Sequence, residues 1–200
     1  MPRAAVLSIH ARVRGTEPST WEDPSLVQLW GPRYSVYVVA AVDLAIFSLG
    51  RLPDAEGPRR RAEEIATLLH NYLDGKKMPY SQAGRALGNH PRALGYAGPT
   101  GRVLIRWEGA RQPTVWTVPQ PDVTPLDARL ELARRYLHIF GPATADSFAT
   151  WAGIRQPAGV AAFEKLTKSL LPVKTPIGNA WILARDEAGI RAAAGIAAPA

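Results

Sequence analysis

The side chains of this 200-residue chain whose types and spacing suit chemistry are cationic. Lys76 and Lys77 follow a Gly in a turn, His90 and Arg92 flank Pro91, and Arg102, Arg106 and Arg111 punctuate an apolar, aromatic stretch. Arg155, Lys165, Lys168 and Lys174 are their counterparts further along. A guanidinium can hold a phosphate or a base edge through its planar fork, whereas a Lys on a flexible turn acts as a point charge suited to phosphate. The formal net charge is +7, and its distribution is uneven. Residues 1–57 hold five Lys/Arg against six Asp/Glu (net −1), residues 58–120 ten against four (net +6), and residues 121–200 nine against seven (net +2). A basic middle third favours a polyanionic partner. A solvated Arg-rich surface has the same composition, so the charge by itself leaves both readings open.

Other chemistries find no support. There is no Cys, hence no disulfide or thiolate metal site, and His10, His70, His90 and His138 lack ligand spacing. The sequence calls for no metal and no cofactor. Neither a Walker A motif, a Rossmann fingerprint nor G-x-S-x-G is present, and "GYAGPTG" at Gly95 to Gly101 lacks the Lys-Ser/Thr ending of a phosphate loop. With 46% hydrophobic residues the chain can build packed cores. It shows neither a secretory segment nor an apolar run of about 18 residues, so a cytoplasmic protein with no membrane partner is expected.

The elements that must position these cations follow from an internal repeat. Tyr72-Leu73, Pro79, Gly88 and Pro91 recur in order as Tyr136-Leu137, Pro142, Gly153 and Pro157, at offsets of 64, 63, 65 and 66 residues. In each copy a first helix presents apolar residues at helical spacing: Ile65, Leu68, Leu69 and Tyr72 in one, Leu126, Leu130, Ala133, Leu137 and Phe140 in the other. A second helix is expected to be capped by Ser81 or Thr144 and closed by Gly88 or Gly153. The third starts at Pro91 or Pro157, a residue suited to a first turn. The period then changes to two. "RVLIRW" with "PTVWTV", and "LLPVKT" with "AWILA", read as hairpins. Alternation places Arg102, Leu104 and Arg106 outward on the wing, with Val103, Ile105 and Trp107 on the core face.

Three helices and a hairpin make a winged helix, whose third helix can enter a major groove while the hairpin follows the backbone. The same unit also serves as a protein-contact module. The fold class expected is mainly α with small β-hairpins (α+β), in tandem winged-helix units at residues 58–121 and 124–187, with a helical or frayed tail at 188–200. In residues 1–53, "SLVQLWGPRYSVYVV" reads as a hairpin and "AVDLAIFSLGRL" as a helix, while "MPRAAVLSIHARV" is helical without a cap. These residues look like the back half of a third, N-terminally truncated winged helix, so the chain is expected to begin inside a domain.

The stretches "PRAAVLSIHARV", "LWGPRYSVYVVAAVDLAIF" and "ARRYLHIFGPATADSFATWAG" resemble the bacterial winged-helix DNA-binding proteins related to the AlkZ and YcaQ DNA glycosylases. The resemblance covers nearly the whole chain, and "RYLHIFGPAT…F…W.G" is its most specific part. It implies tandem winged helices around a DNA-binding concavity, with double-stranded DNA as partner. Glycosylase members carry Gln-x-Gln or Gln-x-Asp directly before the segment matching Pro2 to Val13, and position water with it for attack at the sugar of an alkylated or crosslinked nucleotide. Only Met1 precedes Pro2 here, and Gln28, Gln82, Gln112, Gln120 and Gln156 are scattered, so no catalytic residue is carried over. This departure from the family pattern, with the basic middle third, leads to the expectation of a non-catalytic DNA-binding chain. The alternative is a repair glycosylase whose catalytic segment lies outside this sequence.

Overall fold

The computed structural model describes residues 3–17, 19–32, 35–88, 90–107 and 112–194. In chain order these form α1 (Arg3–Arg12), the hairpin β1 (Leu26–Trp30) and β2 (Val36–Ala40), α2 (Leu44–Leu49), α3 (Glu56–Leu73), β3 (Met78–Pro79) and α4 (Tyr80–Ala86). A 3-10 helix, Pro91–Thr100, then precedes β4 (Val103–Arg106) and β5 (Thr114–Thr117). The remaining elements are α5 (Pro125–Phe140), α6 (Ala145–Ala152), α7 (Gln156–Leu166), β6 (Leu170–Thr175), β7 (Gly178–Leu183) and α8 (Glu187–Ala194). The fold is mainly α with small antiparallel hairpins, of winged-helix type. Packing divides it into two compact units, residues 1–128 and 129–200, the division falling inside α5.

In the first unit α3 buries Ala62, Ile65, Ala66, Leu69 and Leu73. Leu68 and Tyr72, expected on that face, are half exposed, because alanines rather than larger residues complete the stripe. Against α3 pack Ala83, Leu94, Ala97, Val103, Ile105 and Val115, with Trp30 from the first hairpin. The segment after α4 is a 3-10 rather than an α-helix, since Gly95, Gly98 and Pro99 interrupt regular helix; it is capped by His90 and buries most of its length. Strand β4 departs from simple alternation. Val103, Leu104 and Ile105 are all buried, because Leu104 meets Leu29 and Val39 of the first hairpin while Val103 and Ile105 face the main core. A continuous apolar run is what a strand covered on both faces requires.

Ser81 does not cap α4: Pro79 occupies that position without a side-chain bond, and the Ser81 hydroxyl donates to Gln112 Oε1 instead. Thr144 does cap α6, accepting from the Ser147 N–H at 3.1 Å, while the Thr144 N–H donates to Ser147 Oγ at 3.0 Å. Gly88 and Gly153 both adopt φ of 67°, the left-handed conformation expected after α4 and α6. In the second unit Phe148 is fully buried, with ring centroids 5.5 Å from Tyr136 and 6.0 Å from Phe163. From α5 the core takes Leu132, Ala133, Tyr136 and Leu137, while Phe140 stays half exposed and Leu126, near the helix start in the first unit, is also largely exposed.

A pairing invisible in the sequence completes both wings. Met78 and Pro79 pair with Val115 and Thr114, and Ala143 forms an isolated bridge with Trp181. In the first unit the turn before the helix adds a short third strand to the hairpin that follows, and in the second it adds a single bridge.

Candidate nucleic-acid interface

The structure separates the cations into two populations. Five helical arginines are paired along their own helix: Arg59 with Glu63 at 3.0 Å, Arg60 with Glu64 at 3.6 Å, Arg134 and Arg135 with Glu131 at 3.4 and 3.2 Å, and Arg191 with Glu187 at 2.7 Å. Among the described residues, Lys76, Arg85, Arg92, Arg155, Lys165, Lys168 and Lys174 are exposed and form no ion pair.

Lys76 lies in the turn between α3 and β3, and Lys77 beside it stands 4.7 Å from the Trp116 ring, a cation–π contact that holds the ammonium against the wing. His90 is a structural cap as well as an exposed residue, its Nδ1 accepting from the Arg92 N–H at 3.2 Å. That bond fixes the first turn of the 3-10 helix from which Arg92 projects. Arg155 precedes α7, Lys165 is in its last turn, Lys168 is in the 3-10 turn Thr167–Ser169 that follows, and Lys174 is near the end of β6. Arg111 lies outside the described residues.

Arg102 and Arg106 correct the sequence-based geometry. Both are half-buried, because the first hairpin packs on the face of β4 that alternation had assigned to solvent. Arg102 donates from Nη1 to Thr67 Oγ1 on α3 at 3.1 Å. Arg51, which was not singled out from sequence, donates from Nη1 to the Trp30 carbonyl at 2.8 Å, and burial pushes its guanidinium down to about 10.

Beside Arg92 opens a cleft of about 330 Å³, floored by Trp30, Ile105 and Pro113 and flanked by Val36, Tyr80 and Trp107. Two hydrogen bonds shape it: the Tyr80 N–H donates to the Pro113 carbonyl at 2.9 Å, and the Trp107 N–H to Gln28 Oε1 at 3.0 Å. Nothing in the sequence signals this grouping, since Trp30, Tyr80 and Trp107 lie on three separate elements.

The family model described as "DNA glycosylase AlkZ-like" matches residues 1–199. The chain belongs to the AlkZ-like DNA glycosylase family. Among solved structures it is similar to Streptomyces sahachiroi DNA glycosylase AlkZ, with a TM-score of 0.72 at 15% identity, over 94% of this chain and 61% of that chain. At that identity the likeness speaks to fold. The chain thus spans 61% of the length of the structure it matches. A search of the curated proteins found no match.

Glycosylase chemistry raises a specific question for an AlkZ-like chain. Cleaving an N-glycosyl bond needs a carboxylate or amide free to orient water. Gln28 is buried and bonded to the Trp107 N–H, Gln112 to Ser81, and Gln156 donates to Asp146 Oδ1 at 2.8 Å. Asp127 is bonded to Thr124, and Asp186 lies 3.0 Å from His138 Nδ1. These groups are committed to holding turns and helix ends. Gln82 and Gln120 are exposed and sit apart from one another in sequence.

Proposed function

We propose that this AlkZ-like chain is a DNA-binding protein built from winged-helix units, with double-stranded DNA as its partner and no base excision of its own. Residues 58–121 and 124–187 would be the two complete units and residues 1–53 a partial third. The observation that carries the reading is the partition of charge by element. Arg59 and Arg60 on α3, Arg134 and Arg135 on α5 and Arg191 on α8 each pair with a glutamate one turn away, whereas Lys76, Arg92, Arg155, Lys165, Lys168 and Lys174 are exposed and, among the described residues, form no ion pair. They lie on or beside the elements through which a winged helix meets DNA, and unpaired exposed cations are the groups that gain by releasing phosphate counterions.

Fluorescence anisotropy of the full chain on a labelled duplex, across a salt series, tests this. The log–log slope is expected to be about −0.9 per phosphate neutralised, with little dependence on sequence. Undetectable binding at about 50 mM salt, or a flat slope, overturns it.

A second reading, a repair glycosylase for alkylated or crosslinked bases, is favoured by the family description. A base-release assay on N7-alkylated and crosslinked duplex decides between them. Base release by the purified chain replaces the non-catalytic reading.

A further inference from the structure

We infer that the cleft beside Arg92 binds a single unstacked nucleotide, a role that rests on the DNA-binding reading and adds a ligand to it. Three aromatic residues from three separate elements line the cleft: Trp30 from β1, Tyr80 at the start of α4 and Trp107 just beyond β4. Trp30 is buried, whereas Tyr80 and Trp107 are only partly covered, and all three line the cleft. The one charged group in the described lining is Arg92, which is exposed and has no carboxylate partner among the described residues.

This combination selects its ligand by chemistry. Aromatic side chains in the lining favour a planar ring, and the guanidinium favours an anion joined to it. A nucleotide supplies both: its base stacks on the aromatic walls and its phosphate pairs with Arg92. Size restricts the ligand further. At about 330 Å³ the cleft lies at the small end of ligand sites, which run from about 300 to 1,000 Å³, so it takes one nucleotide and not a base pair. Bases inside a duplex have both faces covered by their neighbours, so the ligand has to be unpaired: a bulged or mismatched nucleotide or a strand end.

The position is also well supported. Arg92 stands on the first turn of a 3-10 helix capped by His90, and the hydrogen bonds of the Tyr80 N–H to the Pro113 carbonyl and of the Trp107 N–H to Gln28 Oε1 hold the two residues in place. Such a cleft is formed before the ligand arrives, which lowers the ordering cost of binding.

The test compares two labelled duplexes of the same sequence, one perfect and one carrying a single bulged thymidine, by anisotropy with the full chain. Stacking of one base corresponds to a preference of roughly 5- to 150-fold for the bulged probe. Trp107→Leu, which keeps apolar packing but removes the flat face, is expected to bring the ratio of the two affinities to about one; Trp107→Phe should retain most of it. Circular dichroism shows whether each variant is folded, and Tyr80→Leu supplies an independent wall should Trp107→Leu unfold. Equal affinity for the two probes, or a preference that survives both leucine variants, overturns the cleft assignment while leaving duplex binding intact. Binding to neither probe removes the DNA-binding reading, and the cleft assignment with it.

Discussion

Gly84 offers a sharp test of how the Arg92 segment is held. It lies in α4, and a Cβ built there would stand 2.6 Å from Pro91 Cα and 3.0 Å from Pro91 N, both backbone atoms. Ordinary contact begins near 3.4 Å, so Gly84→Ala forces the 3-10 helix Pro91–Thr100 away from α4 by most of an ångström. Pro91 cannot yield by rotating a side chain, and overpacking of this kind costs about 2–3 kcal/mol. Alanine returns about 1 kcal/mol through its better helix propensity, leaving a net loss of about 1–2 kcal/mol. For a chain of this size that lowers the melting temperature by about 2–8 °C. Gly57, in the first turn of α3 in the same unit, has nothing within 4 Å of its built Cβ, so Gly57→Ala should leave the melting temperature unchanged or slightly raised. Thermal melts followed by circular dichroism compare the two variants with wild type, and anisotropy on duplex DNA should show weaker binding by Gly84→Ala as Arg92 is displaced. A Gly84→Ala chain that melts at or above the wild-type temperature would refute the close approach.

Reversing Lys76 to Glu should reduce the magnitude of the salt slope by about 0.9 or more while leaving the melt unchanged, because this ammonium is exposed and unpaired; an unchanged slope would remove the turn from the interface. Arg102→Glu should instead lower the melting temperature, since Arg102 is half-buried and bonded to Thr67, and a melt identical to wild type would show that the wing face is open after all. Thr144→Ala removes the cap of α6 and should destabilise the second unit by about 1 kcal/mol, read from its denaturant midpoint. Phe148→Ala, at the centre of the aromatic core, should cost about 3–5 kcal/mol, a large share of the stability of a unit this small, so loss of near-ultraviolet dichroism at ambient temperature is expected.

Local order was legible from the sequence because its signals are local. The left-handed glycines 88 and 153, the Thr144 cap, the turn entries at Pro91 and Pro157 and the change from helical to strand period each depend on a few neighbouring residues, and the structure has them where the sequence placed them. Contacts between distant elements were not legible. Alternation predicted an outward face for Arg102 and Arg106, and packing of the first hairpin on Leu104 covered it; only the unbroken Val103-Leu104-Ile105 run hinted at burial on both sides. Ser81 has the residue type of a cap, yet its hydroxyl bonds to Gln112 on the wing, a partner thirty-one residues away. The sorting of cations into paired and unpaired groups shows both regimes. The pairs lie three or four residues apart on a helix and could be counted from spacing, but which of the remaining cations stay exposed depends on what folds over them. The Arg92 cleft belongs wholly to the tertiary structure, because its aromatic walls come from β1, α4 and the end of β4, brought together only when the hairpin closes and the first hairpin docks beside it. Sequence determines spacing within one element, whereas convergence between elements is decided by the burial of apolar surface across the whole unit.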